Sequence, residues 1–193
     1  MNKIYSRYIK KEFKRKFSNE FLEWELIKTK WFPGSISYFQ KNSKSWKCIE
    51  LIFSPKDNSF EIILIWSQKE ELEFFRSSLL EYNLWRPVSF QDFDKIVPNK
   101  IMIGLASFWE KEFDSAWAID PTQKIIYSIK EHGYVTSDIY AKFSLVDTFK
   151  SDKITILENE YSIYIDPLID NSIDMITKYA IPFFDYLDSK LKG

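Results

Sequence analysis

The chain has 193 residues, 45% hydrophobic and 28% charged, with a net charge of −1. A chain of that length buries about 70% of its unfolded surface and folds without a metal or disulfide staple. The single cysteine, Cys48, excludes an internal disulfide and a cysteine zinc site, and its strand setting marks it as a small buried hydrophobe. With no run of 18 apolar residues and no apolar core for a signal peptide, the expectation is a cytoplasmic protein with no membrane span. Aromatic residues reach 18% and glycines only four, which predicts an aromatic-rich core or interface.

In chain order, residues 3 to about 23 carry a helical period, with Ile4, Tyr5, Tyr8, Ile9, Phe13 and Phe17 on one arc. Lys3, Arg7, Lys10 and Lys14 form an opposite, basic stripe. Residues 1 to 16 hold a net +6, so the remainder holds −7. Such a stripe fits a solvated face, a surface for nucleic acid or an acidic partner, or a helix lying on a membrane.

Trp24 to Trp31 reads as a short strand ended by the Pro33-Gly34 turn signal. Ile36 to Lys41 alternates as a second strand. The stretch WKCIELIF, SPKDNS, FEIILIW from Trp46 to Trp66 is a β-hairpin, its turn residues lying between runs of β-branched and aromatic residues. Phe60, Ile62, Leu64 and Trp66 share one face, and Glu61, Ile63 and Ile65 the other. Both faces are apolar, so a helix layer is required on one and cover on the other.

Lys69 to Tyr82 suits an amphipathic helix, and Phe90 to Ile96 a short helical turn. The breaks around Arg86-Pro87 and Val97-Pro98 mark a seam, at about 86–98, within a single domain spanning residues 1–193. Ile101 to Phe113 fits strand or helix, with helix favoured towards its end. Trp117 to Asp120, Lys124 to Ile129, Tyr134 to Phe149, Ile154 to Leu157 and Tyr161 to Ile165 read as short strands. A helix from about Asn171 follows, which Pro182 must bend or restart. The fold class is α+β: an antiparallel meander sheet with the N- and C-terminal helices packed on one face.

No phosphate-binding glycine loop, HExxH, nucleophile elbow or Walker motif is present. His132, the one histidine, sits in a turn context beside Gly133. Asp166, Asp170 and Asp174 would stack on a continuous helix as a divalent-cation site, or else serve as caps and turn residues. The expectation is no cofactor, no metal and no catalysis.

The basic first helix, the aromatic hairpin, IGLASFW…SAW at Ile103 to Trp117 and MITKYAIPFFDYL at Met175 to Leu187 together resemble a broad group of bacterial domains of unknown function. These begin with a helix, continue as a meander sheet and close with a helix bearing a proline-aromatic motif. Some members, encoded near polymorphic toxins, are regarded as immunity proteins. The resemblance implies a non-enzymatic binding protein, and it supplies no catalytic residues. An acidic body suits a basic toxin or nuclease as partner, and Glu110, Glu112, Asp114, Glu158 and Glu160, in or beside expected loops, are the candidate contacts. The alternative is a nucleic-acid-associated module using Lys3, Arg7, Lys10 and Lys14.

Overall fold

The computed structural model describes residues 3–27, 34–54, 59–68, 89–94, 99–108, 117–118 and 157–191. Compact contacts divide the chain into Met1–Ala118 with Ile169–Gly193 and, separately, Ile119–Leu168.

Helix α1 (Lys3–Glu20) buries Tyr5, Ile9, Phe13 and Phe17, a strict four-residue spacing that keeps one face inward. It ends where the Phe21 amide closes a last bond to Phe17 and the Trp24 amide turns back to Phe21. Strands β1 (Glu25–Ile27), β2 (Ile36–Lys41), β3 (Trp46–Ser54), β4 (Ser59–Ser67) and β5 (Lys100–Gly104) follow as an antiparallel meander in sequence order. The short β6 (Trp117–Ala118) pairs with the start of β4 at Ser59 and Phe60, whereas β5 pairs with its end. Since β3 occupies one edge of β4 throughout, β5 and β6 share the other.

Register decides which side chains meet. Tyr38, Ile49, Leu64 and Ile103 lie abreast on one face, and Lys47, Trp66 and Ile101 form the next row. Both terminal helices pack here. Tyr38 stacks on Phe17 with ring centroids 3.9 Å apart, and its hydroxyl donates to the Lys14 carbonyl. Lys47 and Trp66 meet the last helix, described below. Each buried aromatic removes apolar surface worth about 1.5–3 kcal/mol. The opposite face buries Phe39, Cys48, Ile63 and Ile65 together. Burial pushes the Cys48 thiol well up, with the Glu50 charge adding to it, so it stays a protonated hydrophobe. Glu50 is fully buried on this face, where its Oε1 accepts from the Ser35 and Ser37 hydroxyls at 2.6 and 3.1 Å.

Gly34 precedes β2 at φ +89°. A Cβ there would meet only the Lys10 ammonium at 3.6 Å, so space is adequate and the conformation alone sets the cost. Gly34→Ala is expected to destabilise by about 1 kcal/mol, read as a urea midpoint shift at unchanged m-value.

Beyond the sheet, Phe90–Phe93 is a 3-10 turn and Leu105–Phe108 another. Of the segment expected as strand or helix from Ile101 to Phe113, the described part begins as strand and turns helical at Leu105, and 109–113 lie outside the described residues. Two expectations are corrected. Tyr161 to Ile165 is not a strand: a 3-10 turn, Glu158–Glu160, leads into α2 (Tyr161–Tyr164). Three β-favouring residues within five outweighed a helix start that the Glu160 carboxylate fixes by accepting the Leu157 amide at 2.7 Å. The closing helix also begins earlier than Asn171. It starts at Asp166 with Pro167 in its first turn, where the missing amide costs nothing, and runs as α3 (Asp166–Met175), a π turn (Ile176–Ala180) and α4 (Ile181–Lys190).

The π turn is how Pro182 is accommodated. Proline cannot donate to the carbonyl four residues back, and the Ile181 amide instead reaches five residues back to Ile176. Phe183 of α4 then packs against Phe93 and Phe108, with centroids 5.3 and 4.9 Å away. Trp31, the helix expected at Lys69 to Tyr82, and the strands expected at Lys124 to Ile129 and Tyr134 to Phe149 lie outside the described residues.

Candidate functional site

Where α1 ends, the chain turns through Phe21 to Trp24 beside β2, β3 and the π turn. A cleft of about 490 Å³ opens between them, within the size range of small-ligand pockets. Phe184 and Trp24, ring centroids 5.8 Å apart, stand in an apolar lining shared with Phe21, Leu22, Ile181 and Pro182, and Phe17 holds Trp24 edge-on at 6.1 Å. Glu20, Glu23 and Asp185 also line it. The Gln40 amide donates to Glu23 Oε2 at 3.2 Å and fixes that carboxylate's direction. Leu22, at the same turn, is 84% exposed.

One wall of the cleft is held by a polar hub. Lys47 lies in the cleft wall with a side chain only 6% exposed. Its ammonium reaches Asp188 at 2.9 Å and Asp185 at 3.3 Å. Asp188 also accepts from Trp66 Nε1 at 2.8 Å, the Ser45 hydroxyl at 2.5 Å and the Asn42 amide at 2.6 Å. Asn42 in turn accepts the Lys44 and Ser45 backbone amides at 2.8 Å each, closing the β2–β3 turn. Burial, the largest influence on Asp188, raises its pKa, but donors from Ser45, Trp66, Lys47 and Asn42 together outweigh it and hold the carboxyl below its ordinary value. One carboxylate therefore ties β3, β4 and the β2–β3 turn to α4.

Of the residues proposed from sequence, Glu110, Glu112, Asp114 and His132 lie outside the described residues. Glu158 is exposed, and Glu160 is half-buried and spent on the Leu157 amide. In the basic stripe, Arg7 and Lys14 are exposed. Lys10 is half-buried over the Phe53 ring at 5.0 Å, and burial, then Lys14, lowers its pKa. The side chain of Lys3 is outside the described set. Lys11, Lys14 and Arg15 extend the exposed basic face with Arg7.

Asp166, Asp170 and Asp174 are all helical, but Asp170 pairs with Lys16. Among the described residues no three potential ligands gather as a metal site. Nor is any helix there long and apolar enough to cross a membrane. The cleft escaped sequence reasoning because its residues come from four separate segments. Its one local signal was the run from Glu20 to Trp24, where apolar residues stand between and beside carboxylates at the end of a helix. No family model, curated protein or solved structure matches the chain.

Proposed function

We propose that this is a non-enzymatic binding protein, an immunity or inhibitor protein that neutralises a basic toxin or enzyme, such as a nuclease, by covering its working surface. The observation that carries the reading is the cleft, with carboxylates around an aromatic floor and Leu22 exposed at its turn. Exposed apolar residues beside a pocket are what a partner buries, and surrounding charge speeds and orients the encounter. The net −7 beyond residue 16 supplies the long-range field. Glu110, Glu112, Asp114, Glu158 and Glu160 remain proposed contributors to that field.

Co-purification from the native host, followed by titration against the recovered enzyme, tests this. One-to-one inhibition that weakens with added salt is the expected result. Turnover of any substrate by the purified protein would overturn it.

A second reading, nucleic-acid association, draws on the exposed Arg7, Lys11, Lys14 and Arg15 of α1. It requires retention on a heparin or DNA column at low salt, falling steeply as salt rises. Changing Lys3, Arg7, Lys10 and Lys14 to Gln would remove that retention. On the first reading the same variant keeps full inhibition, and its stability changes little, the relief of like-charge repulsion offsetting the lost Lys10 contact with the Phe53 ring.

A further inference from the structure

We infer that the cleft is a receptor for the guanidinium group of an arginine that a protein partner inserts beside Leu22; this deepens the binding-protein reading and rests on it.

Charge selects the ligand first. Three carboxylates line the cleft against one ammonium, and that ammonium is engaged, since Lys47 is held by Asp185 and Asp188. Two net negative charges therefore remain at the opening, those of Glu20 and Glu23, both on exposed residues. An anion would be repelled, and a neutral ligand would leave the carboxylates unmatched. A cation answers both.

Shape selects among cations. Trp24 is half-exposed in the cleft and held by Phe17 and Phe184, so an indole is presented in a fixed orientation. A planar guanidinium stacks on such a ring while its N–H groups reach a carboxylate side by side. Glu23, already oriented by Gln40, is the matching acceptor. An ammonium is a compact, strongly hydrated charge that neither stacks nor bonds in parallel, so lysine is the poorer fit.

Leu22 decides that the arginine arrives on a protein. Leu22 lines the cleft yet is 84% exposed, more apolar surface than a small cation seated in the cleft would cover. A partner presenting an arginine amid apolar neighbours covers both at once, the arrangement of a central anchor with a surrounding seal.

The probes are N-acetyl-arginine amide and its lysine and citrulline counterparts, titrated at low salt against the intact protein and followed by the Trp24 indole N–H resonance. Saturable perturbation by the arginine probe is expected, several-fold weaker for lysine and absent for citrulline, which keeps the shape but loses the charge. Glu20→Gln with Glu23→Gln, two exposed positions where folding is not at stake, should weaken arginine binding at least tenfold. Equal response to arginine and citrulline, or no effect of the double variant, overturns the inference. Against a recovered basic partner, the double variant should also lose at least tenfold in affinity. If one-to-one inhibition persists at full strength in that variant, the arginine pocket is wrong and the inhibitor reading stands. If the arginine probe binds as expected but the recovered partner is acidic, the pocket stands and the inhibitor reading fails.

Discussion

Trp66→Ala should destabilise the protein by about 3–5 kcal/mol, the range for truncating a fully buried large aromatic. Trp66 has no exposed surface, and it lies between Lys47 and Ile101 in the row that faces α4. At an m-value of about 2 kcal/mol/M in urea, the midpoint falls by roughly 1.5–2.5 M. Trp66→Phe separates the two contributions. It keeps most of the packing but loses the indole bond to Asp188, and a hydrogen bond to a charged group is worth about 1.5–3 kcal/mol. A shift below about 1 kcal/mol for the alanine variant would place Trp66 on a surface face, by the usual range for such sites.

The second large effect is at Asp188. Asp188→Ala strips Trp66, Ser45 and Asn42 of an acceptor at one stroke. Lys47 is left in a wall where it is almost fully enclosed, with Asp185 as the nearer remaining carboxylate. Removing one member of a buried pair costs about 3 kcal/mol or more. Lys47→Met should recover part of that loss in the double variant, and the cycle measures the coupling.

The pH dependence follows from the lowered carboxyl. Unfolded aspartate titrates near about 3.9, and folded Asp188 titrates below its ordinary value because its donors outweigh burial. Its contribution is therefore complete above about pH 5 and is lost as pH falls through the folded value. Wild type and Asp188→Ala should differ by a constant amount from pH 5 to 7 and converge on acidification. A gap that stays constant down to pH 2 would mean that the ionised carboxylate does not carry the effect.

The parts legible in the sequence are those set by local period. Tyr5, Ile9, Phe13 and Phe17 announce α1 because one helical face must be apolar, and Phe60 to Trp66 announces β4 because alternate residues must face opposite layers. The side-by-side placing of β2 and β3 followed from the short turn Asn42 to Ser45, which joins only neighbours, whereas the place of β5 beside β4 was not legible, since more than 30 residues separate them. What failed was local propensity against a cap. Tyr161, Ile163 and Ile165 favour strand, whereas the reach of Glu160 to the Leu157 amide supports a helical start there. The cleft was illegible for a different reason. Glu23 and Gln40 are 17 residues apart, and Lys47 and Asp185 are 138 apart, and no periodicity carries information across such distances. The candidate acids at Glu158 and Glu160 were chosen by loop preference, which does not distinguish a carboxylate available to a partner from one already bonded to its own backbone.

The separation of Trp66 from Asp188 has a consequence during synthesis on the ribosome. Asp188 is 122 residues downstream of Trp66, so at about 5–20 residues per second the indole waits roughly 6–24 s for its acceptor. Once made, α1 and strands β1–β4 can collapse within a small fraction of that time, with β5 joining as it is made. Through the interval the Trp66 row stands without α4, its apolar surface bare and the Lys47 charge without Asp185 and Asp188. That is the period in which chaperone holdases would engage this protein, and slowing elongation between codons 67 and 188 would lengthen it.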